Sequence, residues 1–278
     1  MTQTYRMEDL LSLMEKLRDP KLGCNWDKKQ TLKSLTAYTL EEVYEVIDAV
    51  ESGDDRQLQD ELGDLLFQVV FYTQIAKEEG RFDFTAVISA ITDKLLRRHP
   101  HVFPDATLAS FGTPALQGIH ADEVAARWEL IKNAERARKA STQEHVRQLS
   151  VLDDIPNSLP ALERARKLQK RAASLGFDWT QVADVIAKLR EEIVELEQEI
   201  ARGDTARIED EFGDLLFSCV NLGRHLHADP ETALRRSNRK FEARFRAMEH
   251  SAAQQSRQLQ ELDAQALNSL WEKTKAQE

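Results

Sequence analysis

Glycine and proline are scarce in this chain, ten and seven among 278 residues, and strand-like alternation is hard to find. Long segments of 3.6-residue period fill it instead, so the predicted fold class is all-α. The two cysteines, Cys24 and Cys219, do not make a disulfide framework, and Cys219 falls in an apolar run where it reads as a core residue. No apolar run approaches transmembrane length, which argues against a membrane partner. The opening MTQTYRMEDLLSLMEKLRD is amphipathic and charged and lacks the apolar region of a signal peptide, so a reduced cytoplasmic location is expected. No glycine-rich phosphate loop occurs, which argues against a Walker-type nucleotidase. Positive charge is also in deficit: the formal net charge is −10, which counts against nucleic acid as a partner through overall charge.

What the chain does have is an internal repeat. Glu41, Glu42, Glu45, Glu61 and Asp64 recur 150 positions later as Glu191, Glu192, Glu195, Glu211 and Asp214. The run Gly63-Asp64-Leu65-Leu66-Phe67 recurs at the same offset as Gly213-Asp214-Leu215-Leu216-Phe217. Both acid sets flank a turn, Ser52-Gly53-Asp54 and Arg202-Gly203-Asp204, where glycine stops one helix and aspartate caps the next. Glu45 and Glu61 each lie eight residues from Gly53, and Glu42 and Asp64 each lie eleven; the same counts hold around Gly203. In helical arms the paired acids sit level, roughly 12 and 16 Å from the turn. Within an arm they are i and i+3 and share a face. An antiparallel hairpin therefore gathers four carboxylates.

An ExxE pair on a helix is usually part of a solvated face, and 31% of this chain is charged. The second arm argues otherwise. Leu62 to Ile75 reads LGDLLFQVVFYTQI, apolar almost all round, and predicts a buried helix in which Asp64 cannot easily reach bulk water. Four unpaired anions there would repel one another and lose solvation. A hard cation with oxygen ligands resolves the conflict, and Mg²⁺ or Mn²⁺ suits an all-carboxylate site. The pairs His99/His101 and His225/His227 are weaker metal candidates, since no cysteine pair accompanies them, and are read as solvated or capping.

The duplicated EExxE and ExxD motifs with GDLLF resemble the MazG family of nucleoside triphosphate pyrophosphohydrolases, in the all-α NTP pyrophosphatase superfamily. The likeness covers nearly the whole chain, in the two-domain bacterial arrangement. It implies Mg²⁺-dependent cleavage of an NTP, ATP included, to NMP and pyrophosphate. It also implies a homodimer, and apolar faces such as Leu40/Val43/Ile47 on a single hairpin call for partner helices in the same way. Expected domains are 1–135, a polar connector 136–155, and 156–278, with hydrolysis assigned to the last by the resemblance alone, because the first acid set is intact.

A triphosphate needs charge neutralisation, positioning and an activated water. The second copy supplies Glu192, Glu195, Glu211 and Asp214 for metal, and Lys188, Lys240, Arg244 and Lys275 for phosphates. Trp271 offers a face for base or sugar, and Glu191 a base or an outer carboxylate. The resemblance carries these roles onto the same positions. Glu42, Glu45, Glu61 and Asp64 form the second expected metal set. Lys94/Arg98 match Lys240/Arg244, and Trp128/Lys132 match Trp271/Lys275. Two rivals stand beside this reading. One is a narrower pyrophosphatase for dUTP, dCTP or a phosphoribosyl nucleotide. The other is a non-enzymatic helical adaptor with cation-stabilised hairpins.

Overall fold

In the computed structural model, residues 4–112, 127–128, 131, 134–135, 150–255 and 257–276 are described, and no strand occurs among them. The chain divides into two compact units, Met1–Gln143 and Glu144–Glu278. In the first, α1 (Met7–Leu17) leads through a loop and a 3₁₀ turn (Asp27–Lys29) to α2 (Leu35–Ser52), α3 (Asp55–Glu78) and α4 (Phe84–Arg98). In the second, α5 (Ala161–Ala173) precedes α6 (Val182–Arg202), α7 (Thr205–His225), α8 (Pro230–Gln254) and α9 (Ala264–Lys275). Lys132 and residues 136–149 of the expected connector lie outside the described residues.

The two hairpins form as the turn chemistry requires. Gly53 and Gly203 end their helices with φ of 74° and 75°, a left-handed conformation that glycine adopts without Cβ clash. Asp54 accepts from the backbone N–H groups of Arg56 and Gln57 at 2.9 and 3.1 Å. Asp204 accepts from Ala206 and Arg207 at 3.1 and 3.3 Å. Such caps contribute about 1 kcal/mol each. Helix α2 then packs on α3, and α6 on α7.

The first unit closes over an apolar core. Met14 of α1 meets Leu35, Val70, Phe71 and Ile75, with Leu10, Leu11 and Phe67 at the margin. The Arg18 guanidinium lies 5.5 Å from the centre of the Phe71 ring and pairs with Glu78 at 2.7 Å. In the second unit α5 packs on α7, α8 on both, and α9 on α8. Helix α6 turns the stripe Val182, Val185, Ile186, Leu189 and Leu196 toward its neighbours. Glu192 falls on that stripe, seven residues after Val185, and is only 5% exposed.

The return helices are less buried than their composition predicts. Val70, Phe71, Thr73, Ile75 and Ala76 are buried, but Leu62, Gly63, Asp64 and Val69 are exposed. In α7, Phe212, Asp214, Leu216 and Cys219 are exposed, so Cys219 is not a core residue. Phe212, Leu216 and Cys219 are spaced i, i+4, i+7 and so form one stripe. Composition was a poor guide here because no described helix of the same unit covers that stripe.

Candidate active site

Helix α6 carries Glu192 and Glu195 one turn apart, and α7 carries Glu211 at the same height. One carboxylate oxygen from each lies within 4.8 Å of the others. Glu42, Glu45 and Glu61 form the corresponding group in the first unit. The structure thus brings together three of the four acids expected in each quartet. Asp64 and Asp214 stand outside the triads but act on them through their charge. Desolvation, and then the charges of Glu195 and Asp214, push the Glu211 carboxyl above its ordinary range. Desolvation, and then Asp64 and Glu45, do the same to Glu42. Oxygen donors converging from two helices fit a hard divalent cation, which would relieve that repulsion.

Lys188 sits one turn before Glu192. Its ammonium donates to Glu191 at 2.7 Å and pairs with Glu192 at 2.9 Å. These two carboxylates hold its pKa well above the ordinary lysine value, so it stays cationic at any working pH. Glu191 is largely exposed and outside the triad. In the first unit Gln68 replaces that lysine as a neighbour, its Nε2 lying 3.4 Å from Glu42 Oε1.

The other expected nucleotide residues gather on α8 and α9. The Arg244 guanidinium lies over the Trp271 ring at 5.6 Å, Trp271 packs on Phe241 at 5.4 Å, and Lys275 pairs with Glu272 at 3.7 Å. Lys240 is exposed beside Arg236 and Arg239. In the first unit Arg98 is taken up by Glu135 at 2.6 Å, and Trp128 meets His99 edge-on at 5.0 Å. Of the histidines, His99 contacts the Leu95 carbonyl at 2.6 Å, and His225 contacts the Asp178 carboxylate at 3.0 Å. Among the described residues, the groupings able to hold a metal are the two glutamate triads.

The feature that motif reading passed over is a cavity of about 660 Å³ beside the second triad. Its walls include Glu192, Asp214, Lys188, Gln169, Asn221 and Arg224, with Phe177 and Trp179 from the α5–α6 loop. Lys240, Arg244, Trp271 and Lys275 do not line it. The repeat itself held the signal. At the 150-residue offset, Lys188 stands opposite Tyr38, Asn221 opposite Phe71 and Arg224 opposite Gln74. Each first helix buries one residue, Met14 in α1 and Gln169 in α5. Of these positions, Phe71 is buried in the core of the first unit, whereas Asn221 lines the cavity of the second.

The description "MazG nucleotide pyrophosphohydrolase domain" matches residues 30–103 and 180–248, which span both hairpins. The chain is 50% identical over 275 residues to the nucleoside triphosphate pyrophosphohydrolase of Escherichia coli K12, covering 98% of each. This chain belongs to the MazG family. A Thermotoga maritima MazG, named as a nucleoside triphosphate pyrophosphohydrolase/pyrophosphatase, is 43% identical over 268 residues, 96% of this chain and 95% of its own length. The Mycobacterium tuberculosis nucleoside triphosphate pyrophosphohydrolase is 36% identical over 184 residues, 66% of this chain and 50% of its own. The MazG match is thus two-fold within one chain, and it falls on the segments that carry the glutamate triads. No described helix of this family member is long and apolar enough to cross a membrane.

Proposed function

We propose that this chain hydrolyses nucleoside triphosphates, ribo- or deoxyribo-, to the monophosphate and pyrophosphate. The work falls to the C-terminal unit, taken as 156–278, with 1–135 as a support and 136–155 as the connector. The observation that carries this reading is a glutamate triad, a cationic lysine and a cavity of ligand size in one place. Glu192, Glu195 and Glu211, with Asp214 beside them, would hold Mg²⁺, with Mn²⁺ as a substitute. Such a cation supplies charge neutralisation for phosphate oxygens and activation of water. Lys188 presents a fixed positive charge to the phosphates, and Glu191 holds its ammonium in place. As water oxygen bonds to phosphorus, the α–β anhydride bond breaks, pyrophosphate leaves, and the proton passes to a carboxylate of the site. Lys240, Arg244, Trp271 and Lys275 on α8 and α9 form a second cationic and aromatic surface for the triphosphate. The exposed apolar stripes of α3 and α7 favour a homodimer in the cytoplasm.

The test is pyrophosphate release from a panel of NTPs and dNTPs with Mg²⁺. Wild type and Glu45→Gln are expected to turn over, and Glu195→Gln to lose turnover while keeping its helical content. Loss in Glu45→Gln with retention in Glu195→Gln would move catalysis to the first unit. No release by wild type from any nucleotide would remove the hydrolase reading.

A further inference from the structure

The two glutamate triads share their geometry but not their surroundings. In each, one oxygen from every carboxylate lies within 4.8 Å of the others. In the second unit an internal cation already stands against that negative charge. The Lys188 ammonium is 2.9 Å from Glu192 Oε1 and 2.7 Å from Glu191 Oε1. Glu192 is buried, so solvent ions screen its pairing only weakly.

In the first unit the position of Lys188 is taken by Tyr38, a neutral phenol. Its ring meets Trp26 edge-on, with centres 5.7 Å apart. The charges that act on Glu42 are those of Asp64 and Glu45, both negative. Among the described residues, no lysine or arginine pairs with Glu42, Glu45 or Glu61. The same three carboxylates therefore converge without an internal counter-charge.

Gln68 is an independent sign that a ligand belongs there. It is 6% exposed, and its Nε2 lies 3.4 Å from Glu42 Oε1. Its Oε1 is buried and has no partner. A buried acceptor without a partner is costly. A neutral amide oxygen beside converging carboxylates is a donor type that hard divalent cations take up. At the 150-residue offset the second unit has the shorter Ser218 instead.

We propose that Tyr38 and Lys188 give the two triads different cation behaviour. The first unit holds a divalent cation by itself, and the second holds one firmly only together with a triphosphate. In the free protein the Lys188 ammonium repels a divalent cation at the second triad. A unit charge one ion pair away weakens that hold about tenfold, even at water-like screening. Triphosphate brings negative charge to Lys188 and cancels the repulsion. Cation and nucleotide then tighten each other by the same factor. The first triad is thus a standing brace for its hairpin, and the second is completed by its substrate. The nucleotide half of this inference rests on the hydrolase reading; the ranking of the two triads in the free protein does not.

The experiment titrates the full chain with Mn²⁺ and follows the free ion by electron paramagnetic resonance, without nucleotide and with α,β-methylene ATP, which resists cleavage. Wild type without nucleotide is expected to bind one Mn²⁺ per chain about tenfold more tightly than the next. Glu45→Gln should lose the tight site, and Glu195→Gln should keep it. Lys188→Met should tighten the weak site about tenfold, whereas Lys188→Arg, which retains the charge, should leave it weak. Tyr38→Lys should weaken the tight site, with Tyr38→Phe unchanged. The ATP analogue should tighten the weak site in wild type. Equal affinities in wild type, a tight site lost in Glu195→Gln instead of Glu45→Gln, or a weak site unmoved by Lys188→Met would each overturn the inference. If the Mn²⁺ pattern holds but wild type releases pyrophosphate from no nucleotide, the hydrolase reading fails and the ranking of the triads stands.

Discussion

Phe71→Ala and Asn221→Ala alter the same position of the repeat in two units that use it differently. Phe71 is 1% exposed and packs among Met14, Leu35, Val70 and Ile75. Removing a buried phenylalanine ring costs about 3–5 kcal/mol. The transfer estimate agrees, since about 150 Å² of apolar surface at 25 cal/mol per Å² is about 4 kcal/mol. The Arg18 guanidinium stacked on the ring adds about 0.5–1 kcal/mol. Asn221 is half-buried on the cavity wall, and its truncation removes one bond, from Arg224, worth about 1 kcal/mol. Calorimetry of the full chain should show Phe71→Ala lowering the first unit's transition by roughly 10–20 °C. Asn221→Ala should shift the second unit's transition by only a few degrees. Pyrophosphate release below the first transition should survive Phe71→Ala and be impaired in Asn221→Ala through KM. A cost below about 1 kcal/mol for Phe71→Ala, or equal costs for both, would refute the view that the first unit has filled its cavity.

Other outcomes follow from the same geometry. Asp204→Ala removes a cap that accepts two backbone N–H groups, and should lower the second unit's stability by about 1 kcal/mol in urea titration; Asp54→Ala should do likewise for the first. Asp178 is held at about 2, below its unfolded value of 3.8. Its pairing therefore adds stability that is complete above pH 4 and lost as pH falls toward 2, and acid unfolding of Asp178→Asn should lack that component. Each triad should bind a divalent cation, so Mg²⁺ should raise the thermal midpoint of wild type. The rise should shrink in Glu195→Gln and in Glu45→Gln alike, even though only the first is expected to lose turnover. An unchanged midpoint with added cation would remove the metal assignment from both.

The hairpins were legible because glycine, aspartate and the acids sit at matched distances from each turn. Helical geometry converts those counts into position with little help from the rest of the fold. The fourth acid of each quartet was legible only in part. Asp64 and Asp214 have the right height and act on Glu42 and Glu211 through their charge, but they stand outside the triads, and burial cannot be read from a stretch that is apolar on every side. The cavity was hidden for a different reason. Its walls come from α5, the α5–α6 loop, α6 and α7, which are distant in sequence and in part diverge between the copies. Similarity between Glu42 and Glu192 drew attention. The difference between Phe71 and Asn221 marked the cavity wall.

The turn at Gly203 also works as the zero of a ruler. Glu195 and Glu211 stand eight residues from it on either side, so their alignment is a matter of counting. One extra residue inserted between Asp204 and Glu211 would carry the α7 acids about 1.5 Å along the axis and about 100° around it. The carboxylate would then face a different neighbour, however well the helix itself tolerated the insertion. Only paired insertions, one in each arm, restore the level, and even these rotate both faces together. Lengthening this hairpin therefore requires whole turns added to both arms, whereas the segment after His225 bears no such arithmetic and is the natural place for grafts.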